Sequence, residues 1–489
     1  MPPTIGQNDH PRIWVPVVAL FALRLAIGLV LVFRLDPLSV DDYYRMFYAA
    51  WWWEHPGFTS SYVWLPGHQY LYGLVAGMTG DLITAPRIFT LLLHLGTAGV
   101  MLAAPVSFPQ RMAAAAWILF SPLSFVLGTI PLAESGCWFF CTLGLVLTAR
   151  YLQSGRTAAL FCAAFALLWA FMFRYEAWPF WLAFALAAGR RRPAGISRPV
   201  HLAMVGVPLI FPIVWTVFCG ASQGEFFAFL SATKDDHFGP GFPLDIARSP
   251  MGIMGLIQLG IAVAALVSTR VWKGFALRIF EQCFALSVLV VIGIIAADAL
   301  PSQYVVRVLY GPVILGAMAV SAFLVDASRR RRWTAGMAFG LLAGCGVAGA
   351  LATPSQVDEE DRRAAAWIRH QIDSGAIGDD GHVLVSYWLP EATALYVLSN
   401  RMDRVHLDAM GARCSVQFLL PFAPTCPLPE WGERVQIVIA RKSSLEEDYI
   451  RSQKWRPVKD FGVWAAYRRP AGTVFPQERN KAPDPMFLR

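Results

Sequence analysis

The chain has 489 residues, of which 56% are hydrophobic and 15% charged, a composition too apolar for an ordinary water-soluble globule. Its formal charge of +8 sits largely in short arginine clusters between apolar segments, which reports membrane topology and argues against a nucleic-acid partner. Together these properties define an α-helical polytopic membrane protein.

The first apolar stretch, about 13–33, is too long for a signal-peptide core. It carries Arg24 and lacks a small-residue cleavage site before Arg34 and Asp36, so it stays as an anchor. Further spans are predicted at about 86–104, 112–130, 135–151, 157–173, 176–189, 201–219, 252–268, 281–299, 305–326 and 333–352. That makes about eleven transmembrane helices, most long enough to cross ~30 Å of hydrocarbon, with 176–189 the shortest. With a cytoplasmic N-terminus, the inner connections collect fifteen Lys and Arg residues, among them Arg190 to Arg192 and Arg329 to Arg332. The outer connections collect six: Arg34, Arg45, Arg174, Lys234, Arg248 and Arg307. This bias orients a multi-pass protein in the cell inner (plasma) membrane.

The orientation gathers the chemically suggestive residues on the outer face. Asp41 and Asp42 open the long loop of about 34–85, and Glu134 sits in the tight "PLAES" turn. Arg174 and Glu176 lie in "FRYEAWP", and Lys234, Asp235, Asp236 and His237 in "SATKDDHFGPGFP". Ser39 and the two aspartates suit the start of a helix over about 41–54 that Pro56 and Gly57 end. Its tyrosines and the run Trp51 to Trp53 suit a helix lying in the headgroup plane. One aspartate suffices for a cap, so the second carboxylate at the membrane edge invites a chemical role. Arg24 and His94 fall inside predicted spans, where an ionisable group is either paired within the bundle or functional.

After about residue 353 the pattern changes. "DEEDRRAAAWIRHQI" and "LEEDYIRSQ" read as helices, "HVLVSYW" and "RVQIVIA" as short strands. This predicts a C-terminal α/β domain over 353–473, outside by the odd number of crossings, followed by a Pro-rich disordered tail, 474–489. The transmembrane region is 1–352. Six cysteines fall in or beside apolar segments, whereas Cys414 and Cys426 lie in the polar region, where an extracytoplasmic location permits a disulfide between them.

A first span, an outer loop opening on the paired acidic "DDYYR", an aromatic helix and a "WLPGHQYLYG" return resemble the GT-C integral-membrane glycosyltransferases. The resemblance is to the branch that includes the protein mannosyltransferases and the aminoarabinose and arabinose transferases, and it covers nearly the whole chain. The run "WWWEHPG" is not the WWD-type motif of oligosaccharyltransferases, which belongs to their C-terminal domain. The resemblance implies a transferase that uses a polyprenyl-phosphate sugar donor, with an acidic residue of the first loop as base. The acceptor is then a glycan, lipid or protein hydroxyl at the outer leaflet.

The residue chemistry fits an inverting displacement, which needs a carboxylate to take the acceptor proton and cations to stabilise the departing phosphate. Asp41, first of the pair, is the expected base and Asp42 its orienting partner; a one-residue shift in register exchanges the two roles. Arg174, Lys234, His237 and Arg307 are candidates for the phosphate. Snorkelling also accounts for Arg174, and simple solvation for Lys234 and His237. Glu134 and Glu176 complete the candidate set; for Glu134 a salt bridge to Arg174 competes with substrate binding. His68 is either a sugar contact or a structural histidine. No cofactor is expected. Asp41, Asp42, Glu134, Glu176, Asp235, Asp236 and His237 could assemble an oxygen-rich divalent-metal site, but a monophosphate donor needs less neutralisation than a pyrophosphate.

Three other readings stand beside this one. A transporter or flippase of a lipid-linked sugar calls for repeated halves or broken helices with ionisable residues at midplane, whereas here the ionisable residues gather at one face. A scaffold would leave Asp41 and Asp42 free to change. A pyrophosphate-donor oligosaccharyltransferase-like enzyme would depend on metal.

Overall fold

The computed structural model describes residues 14–35, 40–59, 64–190, 192, 196–227, 250–268, 278–296, 305–326, 329–352, 357–386, 390–407 and 432–471. Lys234, Asp235, Asp236, His237, Cys414, Cys426 and the 474–489 tail lie outside the described residues, as does Ser39. Of Asp41 only the helix backbone is described.

The chain divides into two compact units, one of residues 1–35, 56–71 and 87–353, the other of 36–55, 72–86 and 354–489. Compactness therefore groups the acidic-pair helix with the C-terminal region, where the sequence division at 352 set it with the spans.

The first unit is helical and belongs to a membrane protein. Among the described residues six helices are long and apolar enough to cross a bilayer: Trp14–Arg34 (α1), Thr84–Leu102 (α4), Ala133–Ser154 (α7), Arg198–Ser222, Met251–Ser268 and Arg307–Val325. At 1.5 Å per residue the 21 residues of α1 rise ~32 Å. Shorter apolar helices, Thr157–Phe171 (α8) and Gly336–Leu351, accompany them. Large side chains such as Phe33, Leu92 and Val267 are exposed, as expected of a surface that faces lipid.

The expected span over 112–130 is two pieces, Phe108–Phe120 (α5) and Pro122–Leu127 (α6), parted at Ser121, whose backbone is extended. Pro122 causes the break, because it disfavours the helical conformation at the residue before it and donates no hydrogen bond itself. Side chains add hydrogen bonds around the break, as burial in an apolar medium favours. The Ser121 and Ser124 hydroxyls pair at 2.6 Å, Arg24 Nη2 donates to the Ser124 carbonyl at 2.8 Å, and Ser135 Oγ donates to the Leu127 carbonyl at 2.8 Å. The expected 176–189 span is the ten-residue helix Phe180–Gly189 (α9), because Pro179 and the 3-10 turn Tyr175–Ala177 occupy its first part.

The second unit contains a five-stranded sheet in the order β2-β1-β3-β5-β4. His382–Val385 (β1) lies parallel to Val405–Leu407 (β2) and to Val435–Arg441 (β3), while Arg456–Asp460 (β4) and Trp464–Arg468 (β5) complete an antiparallel edge. All four β1 side chains are buried, as a central parallel strand requires. Helix Glu359–Asp373 ties to β5 through Trp464 Nε1, which donates to Asp361 at 2.6 Å. Helix Leu445–Ser452 is capped by the Ser444 hydroxyl, and its Glu447 takes hydrogen bonds from Arg451 and Tyr467.

The same unit holds the acidic-pair helix Val40–Glu54 (α2). From Asp42 to Ala50 it is almost wholly buried, with Asp42 at 3% exposure. Phe47 meets Tyr396 of helix Pro390–Ser399 edge to face at 5.1 Å. The tryptophan run has a packing purpose as well as an aromatic one. Helix Pro66–Thr79 (α3) offers Gly73 and Gly77 one turn apart, with the Trp52 ring over Gly73 and the Trp53 indole over Gly77.

A histidine pair joins β1 to β2. His382 Nδ1 lies 2.7 Å from His406 Nε2 with the rings stacked. Burial, reinforced by His382, pushes the His406 pKa down to about 3, and burial with Arg404 and Arg434 lowers that of His382. Both rings are neutral in the fold, whereas the unfolded chain takes up protons below its ordinary pKa near 6.5. The stability they contribute is therefore full above that pH and is lost as pH falls towards 3. At pH 5 the loss from His406 is about 2 kcal/mol. Hydrogen exchange in β1 and β2 should quicken between pH 7 and pH 5 beyond its intrinsic pH dependence, and His406→Leu should flatten that response.

Candidate active site

The first unit brings five of the expected residues together: Glu134, Arg174, Glu176, Arg307 and His68. Four local features build the arrangement. α7 begins at Ala133, so Glu134 stands in its first turn, where the helix dipole favours a carboxylate. The 3-10 turn after Arg174 folds Glu176 back onto that arginine. Arg307 opens the long helix Val305–Asp326. His68 lies in the first turns of α3, whose Gly67 N–H donates to the Met172 carbonyl at 2.8 Å. A β-carbon at Gly67 would stand 2.7 Å from that same oxygen, so only glycine allows the approach.

Glu134 is fully buried and is shared by two arginines. Arg174 Nη1 donates to its Oε1 at 2.5 Å, and Arg307 donates through Nε to Oε1 and through Nη2 to Oε2 at 3.3 Å. The salt bridge between Glu134 and Arg174 expected from the sequence is thus present, with a second arginine the sequence did not place there. Arg174 also grips Glu176 in a two-point fork, Nε to Oε2 at 3.1 Å and Nη2 to Oε1. Burial alone would raise the Glu176 carboxyl, but Arg174 more than reverses this and holds it below the usual carboxylate range. Burial likewise works against the Arg174 charge, and Glu134 with Glu176 outweighs it, keeping the guanidinium above its ordinary value.

His68 is buried, and its Nε2 donates to the Pro131 carbonyl at 2.8 Å, three residues before Glu134. It thereby pins the "PLAES" turn. Gly136, one half-turn on, leaves room for the Phe173 ring beside Arg174, since a β-carbon there would run into that ring.

Behind the arginines lies a network that the sequence did not disclose. Tyr310, one helical turn after Arg307, shares a hydrogen bond with His94 Nδ1 at 3.0 Å. Arg24, fully buried halfway along α1, sits over the Phe125 ring at 5.1 Å. Both Arg24 and His94 therefore pair within the bundle. Only the i, i+3 spacing of Arg307 and Tyr310 could have signalled this, because His94 stands 216 positions from Tyr310.

Asp42 belongs to the second unit. Lys234 and His237 lie outside the described residues. Among the described residues no group of three or more His, Cys, Asp and Glu side chains is disposed to hold a metal ion.

Compared with solved structures, the chain shares its fold with ArnT. ArnT from Cupriavidus metallidurans in the apo state matches with a TM-score of 0.59 at 14% identity, over 94% of this chain and 99% of that one. ArnT from the same organism bound to undecaprenyl phosphate matches with a TM-score of 0.59 at 13% identity and the same coverage. The apo oligosaccharyltransferase of Archaeoglobus fulgidus is similar over 88% of this chain and 70% of its own, with 12% identity and a TM-score of 0.48. Neither a protein-family model nor a curated protein sequence matches the chain.

Proposed function

We propose that the protein is a glycosyltransferase. It moves a sugar from a polyprenyl-phosphate-linked donor to the hydroxyl of a lipid, glycan or protein acceptor on the extracytoplasmic face of the inner membrane. The observation that carries this reading is the pair of arginines that share the buried Glu134, in a fold shared with ArnT, which binds undecaprenyl phosphate. Guanidinium groups are suited to a phosphate oxygen pair because their fork matches it and they keep their charge when desolvated.

The chemistry assigns each group a role. A first-loop carboxylate, Asp41 with Asp42 orienting the acceptor, takes the acceptor hydroxyl proton as the oxygen attacks the anomeric carbon. The bond from that carbon to the phosphate oxygen breaks with inversion, and the negative charge it leaves falls to Arg174, with Arg307 holding Glu134 and the second positive charge in place. His68 fixes the turn that carries Glu134.

The test is release of polyprenyl phosphate from a panel of polyprenyl-phosphate sugars by the purified protein, with an acceptor-rich membrane extract. General-base catalysis contributes roughly 10²–10⁴ in rate, so Asp41→Asn is expected to lose at least about 100-fold while folding normally. Asp42→Asn should lose less and raise the acceptor KM. EDTA should leave the rate unchanged, and sensitivity to it would favour a pyrophosphate-donor enzyme. No release from any donor would turn the reading towards transport or scaffolding, and full release by both variants would overturn the aspartate base.

A further inference from the structure

We propose that Glu176 is a resident stand-in for the phosphate group of the lipid, occupying the Arg174 fork until a lipid phosphate displaces it. The proposal rests on the glycosyltransferase reading and adds how the site admits its donor.

Charge balance is the first argument. Among the described residues, Glu134, Glu176, Arg174 and Arg307 form a linked set of two negative and two positive charges that sum to zero. A phosphate entering beside all four would leave a net negative charge in a place largely removed from water, where an uncompensated charge is costly. If one carboxylate leaves as the phosphate arrives, the sum stays at zero.

Geometry decides which carboxylate leaves. Glu134 is fully buried in the first turn of α7 and bonded to both arginines. Removing it from that position would require the helix start to unravel. The Glu176 side chain is 19% exposed and the Arg174 side chain 12%, so their fork is the outward part of the cluster. Glu176 also stands only two residues from Arg174, inside the three-residue 3-10 turn Tyr175–Ala177. A side-chain rotation there breaks the fork without disturbing a helix or a long-range contact.

Shape agrees with charge. Arg174 presents Nε and Nη2 side by side to the two oxygens of Glu176, the arrangement with which a guanidinium also binds two phosphate oxygens. The ligand class is accordingly a phosphate ester. A polyprenyl phosphate and free inorganic phosphate share this chemistry, and the experiment separates them.

The measurement is binding of a polyprenyl monophosphate to the purified full-length protein in detergent. Glu176→Gln keeps the side-chain volume but removes the competing charge, and should bind about tenfold more tightly than wild type, equivalent to ~1.4 kcal/mol. Arg174→Gln should bind weakly, and the gain from Glu176→Gln should vanish in the double variant, because it acts through Arg174. Inorganic phosphate should compete only at far higher concentration; equal potency would overturn the lipid assignment. In wild-type protein, saturating polyprenyl phosphate should increase carbodiimide labelling of Glu176 as it swings into water. Unchanged affinity in Glu176→Gln, a gain that survives in the Arg174→Gln background, or labelling that falls on binding would each overturn the stand-in role. Donor turnover by wild type alongside any of these results would leave the glycosyltransferase reading intact. Neither binding nor turnover would remove both.

Discussion

Glu134→Gln is expected to abolish nearly all polyprenyl-phosphate release and to lower the melting temperature as well. The glutamine keeps the size of the side chain, so the effect is electrostatic. In the wild-type chain one buried carboxylate faces Arg174 on one side and Arg307 on the other. Neutralising it takes a negative charge from beside two guanidiniums, of which Arg174 keeps its fork to Glu176. Removing one partner of a buried ion pair costs about 3–5 kcal/mol, and here two arginines lose the same partner. They should move apart, so that Arg174 no longer stands where the departing phosphate needs it. Glu134→Asp keeps the charge and should recover part of the stability, because the first turn of α7 still favours an anion. Thermal melting in detergent, with the release assay beside it, checks both effects. A Glu134→Gln protein that melts and turns over like wild type would sink the role given to the cluster.

Much of the framework was readable from local pattern, because local pattern is what creates it. The acidic-pair helix, expected over 41–54, spans Val40–Glu54, since its end is written in the Glu54-His55-Pro56-Gly57 stretch. The strands expected in "HVLVSYW" and "RVQIVIA" are β1 and β3, and both named C-terminal helices are present. What escaped was set by partners far away in the chain. α3 lies in a stretch rich in glycine, tyrosine and one histidine, whose helical form depends on what its glycines meet. The break at Ser121 is signalled by Pro122, but a continuous apolar run conceals it, and the groups that make it tolerable come from Arg24 and Ser135. For the site, Glu134 and Arg174 could be suspected of pairing because each is an isolated charge at a span end. Arg307 could not, because nothing local ties it to a residue 173 positions earlier.

Gly73→Ala tests the answer to the three tryptophans, and it should damage the protein more than Gly77→Ala although the two glycines share a helix face. A β-carbon on Gly73 would stand 2.6 Å from the Ala49 carbonyl oxygen and 2.9 Å from the Trp52 ring. The first of these is backbone of α2 and has no rotamer to yield, and the Phe47 contact with Tyr396 anchors the same helix. Gly77 instead faces the Trp53 indole, and that side chain is 39% exposed and can turn aside. Overpacking of this kind costs about 1–3 kcal/mol, against which alanine returns ~1 kcal/mol of helix propensity relative to glycine. For Gly77 the two terms nearly cancel; for Gly73 the steric term wins. Gly73→Ala should therefore quicken hydrogen exchange across 40–54 and reduce donor turnover with both aspartates intact. Gly77→Ala should stay close to wild type in both measurements. Equal behaviour of the two variants would mean that α2 is not held by this glycine face, and that the tryptophans serve the membrane surface alone.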